Sequence, residues 1–166
     1  MRVMKIEATV GNILKKRKMT MAVAESCTGG LISNRITDVS GSSKYFKMGI
    51  VAYSNRIKEN LLGVSFRHCE RPKGAKQSQK YDAISKEVAL AMAKGARLVA
   101  DTDIGIGATG IAGPTGGTKK KPVGLVYIAL VAVKKRIVKE FRFKGSRQDI
   151  KFQASQAALD LIRKHI

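Results

Sequence analysis

Apolar residues in this chain change period repeatedly, and that alternation limits the folds open to it. Ile6, Val10, Ile13 and Leu14 recur at helical spacing and predict a helix over 4–18. The unbroken run Met21-Ala22-Val23-Ala24 predicts a short buried strand over 20–25. Leu31, Ile32, Ile36 and Val39 return to helical spacing, ending before Ser40-Gly41-Ser42-Ser43. Phe46, Met48, Ile50 and Ala52 then alternate, as in a strand over 45–53. Ser54 can cap a short helix carrying Ile57, Leu61 and Leu62, with Gly63 as its stop. Ser85 opens a helix through Ala100, and a strand follows over 102–108. After a Gly/Pro-rich loop over 109–122, Val123–Val133 and Ile137–Phe143 form a hairpin around Lys134-Lys135-Arg136. Ser146 and Asp149 resemble a capping box for a last helix to about Lys164, with Asp in place of the usual Glu or Gln. Helices alternating with strands, closed by a strand pair and a helix, predict one α/β domain: a single three-layer sandwich with a mixed sheet.

Composition narrows the class. A chain of 166 residues has the size of one ordinary domain and can build a core without disulfides or metal. It has no apolar run near the ~20 residues of a membrane span. Met1-Arg2-Val3-Met4-Lys5 leads into an amphipathic pattern rather than a secretory core. Cys27 and Cys69 make neither a disulfide framework nor a metal-ligand spacing, so a reduced, cytoplasmic protein without a metal is expected. The net charge of +20 favours anionic ligands. The basic residues are dispersed, however, and the few aromatics do not interleave with them, which argues for a solvated Lys-rich exterior over a nucleic-acid platform. Ser65–Lys80 is polar, basic and aperiodic. It reads as a surface insertion, with a basic binding arm as the alternative, and it also resembles a translated palindromic repeat.

Three clusters can carry chemistry. Ala24-Glu25-Ser26-Cys27-Thr28-Gly29-Gly30 reads as a strand ending in a small-residue turn that opens a helix. Such a turn offers hydroxyls and free N–H groups to an anion or an attacked carbonyl, although Thr28 as a plain helix cap explains it equally well. His68 and His165 are poorly placed for a Ser-His-Asp triad, so a base toward Ser26 would have to be Lys or Tyr. Tyr53-Ser54-Asn55-Arg56-Ile57-Lys58 supplies both at the end of the second predicted strand. In a parallel sheet that end converges with Ser26, and a desolvated Lys58 can act as base. The plain alternative is a cap at Ser54 and a surface lysine. Gly105–Gly117 reads as a ligand loop, with a flexible connection before the hairpin as the plain alternative, and it is neither a Walker loop nor a dinucleotide fingerprint. Cys27 as nucleophile is disfavoured, because no histidine is placed to activate it.

In order and spacing these clusters resemble the CinA C-terminal domain family, the nicotinamide-nucleotide amidases. The matching stretches are Ala24–Gly30, Gly41-Ser42-Ser43, Gly49–Asn55 with Lys58, Leu62-Gly63-Val64, Ala83-Ile84-Ser85, Gly110–Pro114 with Gly116-Gly117, and Lys121–Gly124. The resemblance covers the chain from about residue 5 to the end. It implies an α/β/α sandwich that hydrolyses the carboxamide of nicotinamide mononucleotide to nicotinate mononucleotide and ammonia, without cofactor or metal. On that resemblance Ser26 matches the nucleophile, Lys58 the base and Tyr53 an assisting hydroxyl. Thr28, Gly29, Gly30, Ser43, Thr109, Gly110 and Arg147 would bind substrate. Thr109 stands where Ser is frequent, and Gly145-Ser146-Arg147 where Gly-Asp-Arg is common. The implied partner is a small nucleotide, and a homo-oligomer stays open. The competing expectation is a non-catalytic nucleotide- or nucleic-acid-binding accessory protein linked to competence.

Overall fold

The computed structural model describes residues 5–65 and 84–166. The segment expected as an insertion, beyond Ser65, lies outside the described residues. In chain order the elements are α1 (Ile6–Arg17), β1 (Met21–Glu25), α2 (Leu31–Thr37), a 3-10 turn (Ser42–Lys44), β2 (Phe46–Val51), α3 (Asn55–Leu62), α4 (Lys86–Val99), β3 (Ile104–Gly110), β4 (Leu125–Ala132), β5 (Lys135–Arg142) and α5 (Arg147–His165). The five strands form one mixed sheet ordered β2-β1-β3-β4-β5. β1 runs parallel to β2 and β3, while β4 and β5 return antiparallel.

Strand alternation divides the core between the two faces of the sheet. Val23, Ile106, Ile128 and Leu130 pack with Ile32 and Ile36 of α2, Val10 and Leu14 of α1, and Ile150, Leu159 and Ile162 of α5. Ala22 and Ala24 face the other way, toward Leu62 of α3 and Val88, Met92 and Ala96 of α4. The result is the expected three-layer sandwich, and each fully buried Ile, Leu or Val contributes about 1.5–3 kcal/mol of burial. β3 owes its glycines to α4. A Cβ on Gly105 would overlap Ala93 O, and one on Gly107 would overlap Ala89 O. Arg35 of α2 ties its layer together by donating to Glu7 of α1 at 2.9 Å and to Ser155 and Gln156 of α5 at 2.9 and 2.7 Å.

Element ends shift by a residue or two from expectation, and the shifts at β3 and at the hairpin matter most. β3 begins two residues later than its periodicity predicts and extends through Thr109 and Gly110, which pair with Tyr127 and Val126. Thr102 and Asp103 are drawn into the preceding connection instead, where Asp103 accepts from Thr20 N and Thr20 Oγ1 at 2.7 and 2.9 Å. The hairpin is tighter than predicted: Lys135 and Arg136 pair with Ala132 and Val131, leaving only Val133-Lys134 in the turn. β5 is an edge strand, and exposed Lys and Arg on an edge discourage pairing with another chain. The capping box forms as expected, Ser146 Oγ accepting from Asp149 N at 3.2 Å and Asp149 Oδ2 from Ser146 N at 2.8 Å. No helix among the described residues is long and apolar enough to cross a membrane.

Candidate active site

Parallel pairing brings the carboxyl ends of β1, β2 and β3 to one edge of the sheet, where such folds form crevices. A cleft of about 340 Å³ opens there, lined by Ser26, Tyr53, Lys58, Thr109, Gly110 and Arg147, together with Cys27, Asn55, Ile84 and the loop residues Ile111–Gly113, Thr115 and Gly116. Six of the ten residues singled out from the sequence therefore meet in one place.

Ser26 follows the last residue of β1, and its N–H donates to Ala108 O of β3 at 2.9 Å. On the opposite side, Ala52 N donates to Glu25 O at 2.8 Å, so the end of β1 is clipped to both neighbours. Tyr53 comes next and is 63% exposed at the cleft rim. Its Oη accepts from Arg147 Nη2 at 2.9 Å, while Arg147 Nη1 donates to Gly113 O at 2.6 Å. Arg147 is the first residue of α5 and so links that helix, the glycine-rich loop and the tyrosine.

Ser54 caps α3, accepting from Ile57 N at 3.2 Å. The turn it sets directs Lys58 and Leu62 inward, and Lys58 is only 3% exposed. No carboxylate pairs with Lys58 among the described residues. Burial therefore holds its ammonium below the ordinary lysine pKa of 10.5, outweighing the opposing electrostatic effect of neighbouring Cys27. The same burial pushes Cys27 up to about 12, so its thiol is protonated and non-nucleophilic at neutral pH. His165 ends α5, roughly 27 Å along the helix from Arg147 at 1.5 Å per residue. His68 and Cys69 lie outside the described residues.

Four expected binding residues are not among those lining the cleft. Ser43 sits in the 3-10 turn before β2, at the amino end of that strand and so across the sheet from the cleft. Thr28 is fully buried, and its Oγ1 has no hydrogen-bond partner. It is not the cap of α2 either, because Gly30 occupies that position in a left-handed conformation. The N–H groups at the start of α2, expected to be free for an anion, are taken by Glu25. Its fully buried carboxylate accepts from Gly30 N at 3.0 Å, Ile32 N at 3.1 Å, Ser33 N at 2.8 Å and Ser33 Oγ at 2.7 Å. Gly29 N is likewise spent, on Ser26 O at 3.2 Å. The sequence reading missed this use of Glu25, as well as Asn55 and Ile84 at the cleft. A signal for Glu25 was present: one carboxylate ends an otherwise apolar strand just before a helix start, where N–H groups need acceptors.

The family model of the CinA C-terminal domain matches residues 3–166. Over 161 residues the chain is 47% identical to a CinA-like protein of Geobacter sulfurreducens, covering 97% of this chain and 37% of that relative. A CinA-like protein of Syntrophus aciditrophicus is 44% identical over 162 residues, covering 97% of this chain and 36% of the relative. The chain thus spans about a third of the length of these relatives. Among solved structures, the competence/damage inducible protein CihA of Agrobacterium tumefaciens superposes with a TM-score of 0.82 at 32% identity, covering 98% of this chain and 97% of that one. The competence damage-inducible protein A of Klebsiella pneumoniae superposes with a TM-score of 0.85 at 27% identity, covering 96% and 94%.

Proposed function

Because the chain belongs to the CinA C-terminal domain family, and because Ser26 and an unpaired buried lysine share one cleft, we propose that it hydrolyses the carboxamide of nicotinamide mononucleotide. Ser26 Oγ is the nucleophile. Lys58, whose charged form burial disfavours, takes the Ser26 proton in its neutral form as Oγ bonds to the carboxamide carbon. The carbonyl electrons move onto oxygen, then return as the C–N bond breaks, and the Lys58 ammonium gives its proton to the departing ammonia. A water then attacks the acyl carbon as Lys58 takes its proton; the Ser26 Oγ–carbon bond breaks, Lys58 returns the proton to Oγ, and nicotinate mononucleotide leaves as its carboxylate after giving its acid proton to solvent. Tyr53 keeps its own O–H proton free to donate, because the bond from Arg147 uses an oxygen lone pair. The glycine-rich stretch 110–117 lets main-chain N–H groups approach the phosphate, and Arg147 contributes positive charge beside it.

The observation that carries this reading is the burial of Lys58 with no carboxylate partner among the described residues, facing the cleft that holds Ser26. A lone buried cation costs stability, and a reaction that needs a neutral amine explains why one is kept. The test is ammonia release from nicotinamide mononucleotide by the purified protein with EDTA present. Release that disappears in Ser26→Ala supports the assignment. The charge of +20 favours a second reading, a polyanion-binding accessory protein. Salt-steep DNA binding with no ammonia release would select it instead.

A further inference from the structure

We infer that Glu25 is a positioning residue for Ser26: its carboxylate sets the turn that aims the nucleophile into the cleft. The inference rests on the proposed role of Ser26. Glu25 and Ser26 are neighbours at the carboxyl end of β1. The main chain there is already anchored on both sides, by Ala52 N to Glu25 O at 2.8 Å and Ser26 N to Ala108 O at 2.9 Å. From this fixed point the chain must reverse through Cys27–Gly30 into α2 within a few residues. Both glycines of the turn have positive φ, +61° at Gly29 and +94° at Gly30, so the backbone itself resists this path little in either direction.

The Glu25 side chain supplies the missing constraint. It spans the turn and binds the far side through four donors, from Gly30, Ile32 and twice from Ser33. Both carboxylate oxygens are used, each by two donors. Ser26, Cys27, Thr28 and Gly29 are thus closed in a loop pinned at one end by the sheet and at the other by this carboxylate. The carboxylate also occupies the cap position that Gly30 leaves vacant at the start of α2. A Ser or Asp at residue 30 could not serve as the cap, because a φ of +94° strains any residue with a side chain. A Glu reached from the residue before the nucleophile instead couples the helix start to the Ser26 position. Displacement of a reacting group by about 1 Å costs on the order of a hundredfold in rate.

The test compares Glu25→Gln and Ser33→Ala with the wild-type protein, well below their melting temperatures. An amide at 25 accepts through one oxygen and turns its NH2 toward donors. It keeps the volume but breaks the pattern. Two readouts are taken: kcat and KM for nicotinamide mononucleotide, and the rate of Ser26 acetylation by p-nitrophenyl acetate, followed by mass spectrometry. The expected result for folded Glu25→Gln is a kcat tenfold to a hundredfold lower, KM within twofold of wild type, and acetylation slowed in parallel. Ser33→Ala removes one donor and should lower kcat twofold to fivefold, again with KM unchanged. Wild-type kcat and acetylation in folded Glu25→Gln would overturn the inference. If Glu25→Gln does not fold, an unchanged kcat in Ser33→Ala overturns it instead. A wild-type protein that is acetylated at Ser26 but does not turn over the mononucleotide would sink the proposed substrate alone. The acetylation rates then decide the role of Glu25.

Discussion

Two buried charges flank the end of β1, and the protein treats them in opposite ways. Glu25 turns toward α2 and is fully satisfied by four donors. Lys58, on the inward face of α3, is nearly as buried, with no carboxylate paired to it among the described residues. A satisfied buried charge holds structure together, because removing its partner strands the rest. A buried charge with no opposite charge beside it is a standing cost, which a fold tolerates where the neutral form is useful. The contrast separates the scaffold of this site from its chemistry.

The sharpest way to break that contrast is to remove each chemical group in turn. Ser26→Ala and Lys58→Met are each expected to lower amide hydrolysis by about a thousandfold or more. Lys58→Arg should be nearly as inactive, because guanidinium does not release its proton. Their stabilities should diverge from their activities. Lys58→Met removes the unpaired cation and should raise the melting temperature by about 2–4 °C, the shift that roughly 1 kcal/mol produces in a domain of this size. A Lys58→Met protein that melts lower than wild type would show that Lys58 is structural and erase the distinction.

Glu25→Ala tests the other side. It leaves four neutral donors without their acceptor and should cost about 1–3 kcal/mol in urea unfolding, the range for buried donors left unsatisfied. A loss below 1 kcal/mol would mean that water replaces the carboxylate. Tyr53→Phe and Arg147→Lys should have smaller effects, about tenfold in kcat/KM, since each weakens the Arg147–Tyr53–Gly113 link without removing nucleophile or base. A Tyr53→Phe loss equal to that of Lys58→Ala would make the tyrosine the base.

The mildest effect is that of pH. The Lys58 pKa is lowered on folding, so between its folded value and 10.5 the unfolded chain binds more protons. Stability contributed by this residue therefore rises with pH across that window and is reduced below it. Activity should rise along the same limb, as the neutral amine becomes populated. Lys58→Met should lose this part of the pH dependence of unfolding. Retention of the full slope would place the titration on another group.

How much of this was legible follows from the range of the interactions involved. The helix of residues 6–17, the strand Met21–Glu25, the cap at Ser54 and the box at Ser146 and Asp149 depend on neighbours a few positions apart, and periodicity finds them. The convergence of Ser26, Tyr53 and Lys58 was also readable, because parallel strands gather their carboxyl ends. Ser43 was not, because its distance from the cleft depends on which end of β2 it precedes. Thr28 was misread because its hydroxyl looks like a cap when the true acceptor lies three residues earlier on the strand.

The sequence by itself determined the alternation of elements, the mixed sheet and the residue types at the head of β1 and α3, all of which rest on local spacing and hydrophobic period. Only the tertiary structure decided what each charge does. A carboxylate and an ammonium look alike in a sequence, as polar residues beside apolar runs. The difference arises when α2 places its N–H groups against Glu25 while the packing of α3 on α4 closes over Lys58 and brings it no acid among the described residues. Burial and hydrogen-bond satisfaction are properties of surroundings assembled from distant parts of the chain, and those surroundings exist only once the sheet has formed.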